Sequence, residues 1–400
     1  MSEQLGIGKL TTRDIDVAGK TVLVRADLNV PLDGDRITDD TRIRGSLPTI
    51  RLLLESGAAV VLCSHLGRPK GVTPELSLGP VAKRLGELLS TDVELSVDCV
   101  GAQARALVDS LEPGNVLLLE NLRFHPEEVQ NDSTFSRQLA AGADFFVNDA
   151  FGAAHRAHAS TEGVTHFLPS VAGLLMEKEV RYLSALVADP PRPFAALVGG
   201  AKVSTKIPAL RHLLPGLNVL LVGGGMANTF LKAQGHAVGS SLVEDDQVEI
   251  AVQILADAGE KGVNVRLPVD VVVAERMAED ARVETVAVSA VPAGSMILDV
   301  GPQTVEDYGQ ALAPTATVVW NGPMGVFEMS PFAGGSLGMA RVLSELSAVT
   351  VVGGGETAAV VAISGLAERF THISTGGGAS LEMLEGKPLP GVSSLMDVTN

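Results

Sequence analysis

Two groups of residues in this chain are of the types that handle anions. In the first half, four fragments each put polar or basic side chains just beyond an apolar, strand-like run. TVLVRADLNVP offers Arg25, Asp27 and Asn29 at every second position, a spacing that would set them on one face of a strand. VVLCSHLGRP offers His65 and Arg68 around Gly67, and VLLLENLRFHPEE offers Asn121, Arg123 and His125. FFVNDAFGAAHRAHAST offers Asn148, Asp149, His155, Arg156 and His158, and Arg42 in DDTRIR lies at the start of the next helical run. The planar guanidinium makes paired contacts to phosphate and carboxylate that an ammonium cannot, and residues 1–170 hold 12 Arg against 4 Lys. At the ends of separate strands in one sheet, these groups would collect into a single patch for a small anion. A zinc site is not expected among the histidines. His125 is remote from His155 and His158, no cysteine lies nearby in the chain, and the latter pair lacks the H-E-x-x-H context.

The second half carries glycine turns. Strand, three glycines and helix recur in VLLVGGGMANTF, VTVVGGGETAAV (Gly353, Gly354, Gly355, Glu356, Thr357) and THISTGGGASLEML (Gly377, Gly378), with a shorter version in ALVGGAKVSTKI (Gly200, Lys202, Lys206). Glycine there lets main chain approach a ligand, and a helix N-terminus offers free N–H groups to an anion. GGGETA fits the loose dinucleotide pattern, yet the next strand, THIST, ends without the acid that would hold a ribose. The pattern G-x-x-x-x-G-K-[ST] is absent. The i,i+4 spacing of Lys202 and Lys206 places both on one face of a helix's first turn, where two cations oppose the helix dipole unless an anion lies between them. One anion site in each half, facing across a hinge, describes phosphoryl transfer, which needs positioning and charge neutralisation more than a base.

To hold these residues the chain needs parallel sheets. Strand candidates are Thr21–Ala26, Ala59–Cys63, Val93–Val97, Val116–Leu119 and Asp144–Val147, with helical patterns such as Leu47–Ser56 and Val81–Leu89 between them. The second half repeats the scheme at Phe194–Val198, Asn218–Val222, Asn264–Leu267, Met296–Val300, Thr317–Trp320, Val349–Val352 and Thr371–Ser374. Strands alternating with helices predict an α/β fold with parallel, doubly wound sheets, and twelve strands are too many for one compact sheet. A helical stripe (Val180, Leu183, Val187) running into Pro190, Pro191 and Pro193 reads as a joining helix. The expected organisation is a first domain over 1–173, a hinge helix and linker over 174–193, a second domain over 194–384, and a tail from 385 to 400.

Bulk composition limits the partners. A net charge of −17 argues against general affinity for nucleic acid or anionic membrane. No apolar run of spanning length escapes Pro, Asn or Gly interruption. Two cysteines, Cys63 and Cys99, are too few for a disulfide framework and fit a reducing cytoplasm.

Taken together, VRADLNVP, SHLGRP, LENLRFHPEE, VNDAFGAAHRAHAS, LMEKE, GGAKVSTK, GGGMANTFL, LPVD, WNGPMGVFE, GGGETA and STGGGASLEMLEGKPLPGV resemble the phosphoglycerate kinase family, in the family's order, from about residue 20 to residue 392. The resemblance implies reversible phosphoryl transfer between 1,3-bisphosphoglycerate and ADP, with Mg2+, in a monomer whose hinge closes. It implies that Asp27, Asn29, Arg42, His65, Gly67, Arg68, Arg123 and Arg156 hold the phosphoglycerate. Gly200, Lys202, Lys206, Asn321, Glu328 (on the ribose), Gly353, Gly354, Gly355, Glu356 and Thr357 would hold ADP or ATP. Arg42 and Lys202, with the N–H groups of Gly377 and Gly378, would neutralise the transferring group. The tail would return to the first domain. Three positions depart from the family pattern: Glu356 stands where the magnesium ligand is usually Asp, Thr205 where many members have an acid, and Ile297 where many have Gly. The rival readings are a two-lobed anion-binding protein without catalysis and an atypical dinucleotide-dependent dehydrogenase.

Overall fold

The computed structural model describes residues 8–398. They fall into two compact units, one running to Arg181 and regaining the chain from Pro388, the other covering Tyr182–Lys387.

The first unit holds strands β1 (Thr21–Arg25), β2 (Leu32–Asp33), β3 (Arg36–Ile37), β4 (Ala59–Cys63), β5 (Val93–Leu95), β6 (Val116–Leu118), β7 (Phe145–Asn148) and β8 (Ser170–Ala172). β2 and β3 make a small hairpin, and the other six form one sheet in the order β5-β6-β4-β1-β7-β8, paired in parallel throughout. Helices α1 (Thr41–Glu55), α2 (Gly79–Leu89), α3 (Gly101–Ser110), α4 (Pro126–Gln130) and α5 (Ser133–Ala140) supply the crossovers. The strands are apolar on both faces because each face meets a core. Val22, Val24, Val60, Leu62, Val116 and Leu118 enter one cluster. Their alternates Leu23, Val61, Cys63, Leu117 and Phe146 enter the other, as the two-residue period of a strand requires. The chain winds outward from β1 through β4 and back through β7, so the winding direction reverses between β1 and β7.

Helix α6 (Leu174–Ala188) crosses the boundary between the units at Arg181. The second unit then places β9 (Phe194–Val198), β10 (Val219–Val222), β11 (Asn264–Arg266), β15 (Thr317–Asn321), β16 (Val349–Gly353) and β17 (His372–Ile373) in a parallel sheet ordered β11-β10-β9-β15-β16-β17. Its winding reverses between β9 and β15. Helices α7 (Ile207–Leu213), α8 (Gly224–Ala233), α9 (Val248–Glu260), α10 (Pro302–Leu312), α11 (Gly334–Glu345), α12 (Gly355–Ser364) and α13 (Gly378–Leu384) complete it. Trp320, Leu197, Leu221 and Val352 bury one face of that sheet against Tyr308, Met339 and Val360. Beyond it, α14 (Pro390–Ser393) lies in the returning segment, where Gly391 N–H donates to Ala154 O and Lys9 Nζ donates to Leu395 O, both within the first unit.

Two expectations fail here. Met296–Val300 is not in the parallel sheet: as β14 it joins β12 (Asp270–Ala274) and β13 (Glu284–Ala287) in a separate antiparallel sheet ordered β13-β12-β14. The edge strand β13 is largely exposed, so it has no apolar run to announce it. Lys202 and Lys206 do not share a helical turn either. Pro208, which tolerates only a helix's first turn, sets the start of α7 at Ile207, leaving Lys206 as the residue before it and Lys202 ahead of the turn that Lys206 closes on Val203.

The glycine-rich strand ends of the second unit are packed against one another. A Cβ on Gly199 would run into the carbonyl oxygens of Pro323 and Gly322, so main chain from β9 and β15 touches main chain. Gly199→Ala is expected to lower stability by roughly 1–3 kcal/mol, the usual range for overpacking. Gly259→Ala, in α9 with open space around it, should raise stability by roughly 0.5–1 kcal/mol through helix propensity. Urea unfolding midpoints moving in opposite directions would bear this out; a neutral Gly199→Ala would refute it.

Candidate active site

In open α/β sheets the loops at the carboxyl ends of strands flanking a winding reversal form a crevice. The first unit brings its basic residues to that edge. β1 ends at Arg25, so Asp27 and Asn29 stand in the loop that follows rather than on the strand face. Arg25 is almost wholly buried and is spent on structure: Nε donates to Ser160 Oγ (2.8 Å) and NH2 lies 2.9 Å from His65 Nδ1. The buried Glu128 carboxylate accepts from Ser160 Oγ (2.6 Å) and Ser160 N–H (3.0 Å). Asp27 accepts two bonds from Arg42 NH1, at 3.0 and 3.1 Å, holding that guanidinium over the loop. Asn29 Oδ1 accepts from Gly67 N–H (2.9 Å), and Gly67 O accepts from Arg123 NH1 (2.8 Å). Asn121 fixes the turn that carries Arg123, since its Oδ1 accepts from Arg123 N–H while its Nδ2 donates to Leu66 O and Leu76 O.

These contacts crowd positive charge. Arg123 is pulled down to about 10, by burial first and then by Arg25, Arg156 and Arg68, with Glu128 opposing. His65 is driven well below the ordinary imidazole range by burial, then by Arg25, Arg123, Arg42 and His158. His158 falls to about 4, by burial and then Arg123, Arg25, Arg156 and His155. Arg68 and Arg156 are exposed at the rim. Of the residues singled out in this half, Asn148 and Asp149 turn out to be structural. Asn148 Nδ2 donates to Gly391 O (2.9 Å), and Asp149 Oδ1 accepts from Leu175 N–H (2.8 Å) in the first turn of α6. Burial raises Asp149 to about 7.

The second unit gathers a different set. Lys206 Nζ meets Asn321 Oδ1. Asn321 Nδ2 in turn lies beside Gly353 and Gly354, within 3.1 and 3.5 Å of where their Cβ atoms would be. Gly354 has φ +93°, a conformation other residues adopt only under strain, and it precedes α12. Thr357 Oγ1 accepts from Gly322 N–H (2.7 Å), tying α12 to the end of β15. Glu356, exposed in the first turn of α12, raises the pKa of Lys206 against the larger lowering by burial. Ser380, whose Oγ donates to Gly377 O, sets the start of α13 next to Gly353. There Gly377 and Gly378 present N–H groups that no earlier helical carbonyl satisfies. Lys202 and Glu328 are exposed, and among the described residues no hydrogen bond or ion pair links either side chain to this group. Thr205 Oγ1 donates to Lys202 O (2.9 Å), and Ile297, in β14, is buried in a cluster with Val271 and Val273 of β12.

Sequence reasoning missed Ser160 and Glu128, which sit in the quoted fragments but show their role only through burial. It also set aside any cysteine near His125. In the fold, Asp98, Cys99 and His125 come together, their ligand atoms within 4.8 Å of one another, because the loop after β5 and the turn after β6 leave neighbouring strands.

The family model for phosphoglycerate kinase matches residues 12–387. The chain is 57% identical over 392 residues to a phosphoglycerate kinase of Moorella thermoacetica, covering 98% of this chain and all of that one. It is 57% identical over 390 residues to a cytosolic phosphoglycerate kinase of Triticum aestivum, covering 96% and 97%. The structure of phosphoglycerate kinase from Coxiella burnetii superposes with a TM-score of 0.88 at 42% identity, covering 96% of this chain and 98% of that one.

The depressed histidines have a measurable sign. Unfolded, an imidazole titrates near 6.5; folded, His158 titrates near 4. Between those values the unfolded chain binds more protons, so this group's contribution to stability is full above about 6.5 and is lost as pH falls toward 4. His158→Gln should therefore gain stability relative to the parent as pH drops from 7 to 4.5, and saturating phosphate should shrink the difference by raising the imidazole pKa. A pH-independent difference in urea midpoint would contradict it.

Proposed function

The chain belongs to the phosphoglycerate kinase family and catalyses reversible phosphoryl transfer from 1,3-bisphosphoglycerate to ADP, giving 3-phosphoglycerate and ATP; on that premise we propose which residues hold each substrate. The observation that carries the proposal is the uncompensated guanidinium cluster around Arg123. Guanidiniums crowded at one sheet edge lower Arg123 and keep the two imidazoles beside it neutral, and a phosphate or carboxylate set among them relieves the repulsion.

Arg68, Arg123 and Arg156 bind the phosphate and carboxylate groups of the three-carbon acid, with Asn29 and Gly67 shaping the loop and His65 donating from its free nitrogen. Asp27 orients Arg42 toward the acyl phosphate. On the second unit Gly200, Gly353, Gly354 and Gly355 line the nucleotide, Lys206 and Asn321 contact its phosphates, Thr357 positions α12, and Glu328 takes the ribose. Lys202 and the N–H groups of Gly377 and Gly378 receive the oxygens of the transferring group, and Arg42 balances it from the acid's side. Catalysis then consists of in-line positioning and charge neutralisation, with no covalent intermediate on the protein.

Glu356 fits a magnesium ligand. It is an exposed, hard oxygen donor at the start of α12, beside the glycine turn and within electrostatic reach of Lys206. When bound, magnesium supplies charge neutralisation on the nucleotide phosphates. With a side chain one methylene longer than Asp, either the carboxylate folds back or the metal sits differently. Among the described residues no helix is long and apolar enough to cross a membrane. A reducing cytoplasm is the compartment that suits the two buried free cysteines, and we expect a single chain per particle in solution.

In a coupled assay Arg42→Ala and Lys202→Ala should each lower kcat by roughly 10²–10³, the range for loss of a charge-stabilising donor, with circular dichroism unchanged. Near-parental kcat in both would remove these roles. Glu356→Ala should raise the magnesium concentration giving half-maximal rate, while Glu356→Asp should leave it near the parent's; equal magnesium dependence in all three would take the metal away from this position.

A further inference from the structure

Asp98, Cys99 and His125 have no part in the roles assigned above, although His125 follows the turn that carries Arg123. Cys99 is in the bend between β5 and α3, and its sulfur is buried in the same core as Cys63 and Phe135. His125 is the residue between the turn at Leu122–Phe124 and α4. It is held by its N–H to Leu122 O (3.2 Å) and by Phe135, whose ring centroid is 5.4 Å away. The Asp98 carboxylate joins the two: Oδ1 is 2.7 Å from His125 Nε2 and accepts from Cys99 N–H at 2.6 Å. The Cys99 sulfur lies within 4.8 Å of the ligand atoms of both Asp98 and His125. Sulfur and imidazole nitrogen thus flank one carboxylate.

We propose that Asp98, Cys99 and His125 form a site for a zinc-class divalent cation, which takes the place of the thiol proton and of the hydrogen between His125 Nε2 and Asp98 Oδ1. Sulfur, imidazole nitrogen and one carboxylate oxygen are the donor set preferred by borderline-soft metals and refused by magnesium. All three ligand atoms already lie within 4.8 Å of one another. A tetrahedral ion with bonds of about 2.0–2.3 Å needs donor separations of about 3.3–3.6 Å, so modest rotamer shifts complete it. Asp98 and His125 keep 46% and 28% of their side chains exposed, which opens a path for the ion and leaves its fourth position to water. On binding, the thiol proton leaves to solvent and the imidazole hydrogen shifts from Nε2 to Nδ1, which frees Nε2 to act as the ligand. One thiolate and one carboxylate then neutralise the dication, so no net charge is placed against the buried sulfur.

The test is titration of the full chain with Co2+ at pH 8 without nucleotide, in excess Mg2+ to occupy hard oxygen sites. One equivalent should produce a near-ultraviolet thiolate-to-cobalt charge-transfer band that Zn2+ abolishes by displacement. Cys99→Ala should remove the band and Cys63→Ala should keep it. His125→Asn should weaken binding more than about tenfold, the least expected when an inner ligand is lost. If Cys99→Ala fails to fold, Asp98→Asn, at a half-exposed position, should weaken binding by a similar factor. No charge-transfer band in the parent, its survival in Cys99→Ala, its loss in Cys63→Ala, or an unchanged affinity in Asp98→Asn would overturn the site.

Discussion

Electrostatic repulsion at the carboxyl edge of the first sheet is the constraint on which the rest of the protein turns. Arg25, Arg68, Arg123 and Arg156 reach that edge from the ends of different strands and Arg42 from the start of α1, and together they depress Arg123 and the histidines among them. An isolated buried guanidinium has no stable place in an apolar core. Here the fold tolerates the cluster by dividing it. Arg25 is buried but hydrogen-bonded, through Ser160 to Glu128, and its charge is balanced inside. Arg42 is balanced by Asp27. Arg68, Arg123 and Arg156 are left as surplus. Division into neutralised and surplus arginines separates scaffold from binding surface, a distinction that residue type alone does not make.

The same buried network decides the state of His65. Arg25 is only a donor, so its approach to Nδ1 makes that nitrogen the acceptor and leaves the ring hydrogen on Nε2. The crowding that keeps the ring neutral therefore also fixes its tautomer. A neutral Nε2–H donates to an anionic oxygen without adding to the repulsion that the site already carries. Glu128, three residues after His125, thus acts on the substrate edge through Ser160 and Arg25 although it faces the core.

Much of this was legible in the chain. Strands such as Ala59–Cys63 and Phe194–Val198 are apolar throughout because both faces are covered, and turn residues bound them sharply. The basic loops were legible because parallel strands must end at a common edge. What could not be read has specific causes. The antiparallel sheet of β12, β13 and β14 has an exposed edge strand with no apolar signature. The separation of Lys202 from Lys206 depends on a turn closed by Lys206 N–H on Val203 O, ahead of a helix start dictated by Pro208. The meeting of Asp98 and Cys99 with His125 depends on β5 pairing with β6, a long-range contact that no local pattern encodes.

The glycine runs look alike in sequence and differ in their physics. At Gly199 and Gly322 the absent side chains let one strand end rest on another, so glycine is a packing requirement there. Gly355 and Gly377 have open space around them, and at Gly354 a positive φ turns the chain into α12. Packing glycines lock β9 and β15 at the winding reversal; the others leave main-chain N–H groups facing outward beside them. Rigidity at the first set is what allows exposure at the second, because a helix start can present amide groups at a fixed distance from Lys206 and Asn321 only if the strand ends beneath cannot shift. Residue 356 belongs to the exposed set: its environment holds a carboxylate at the mouth of α12 without packing the chain around it, so a side chain longer by one methylene is accommodated there, as it would not be at Gly199.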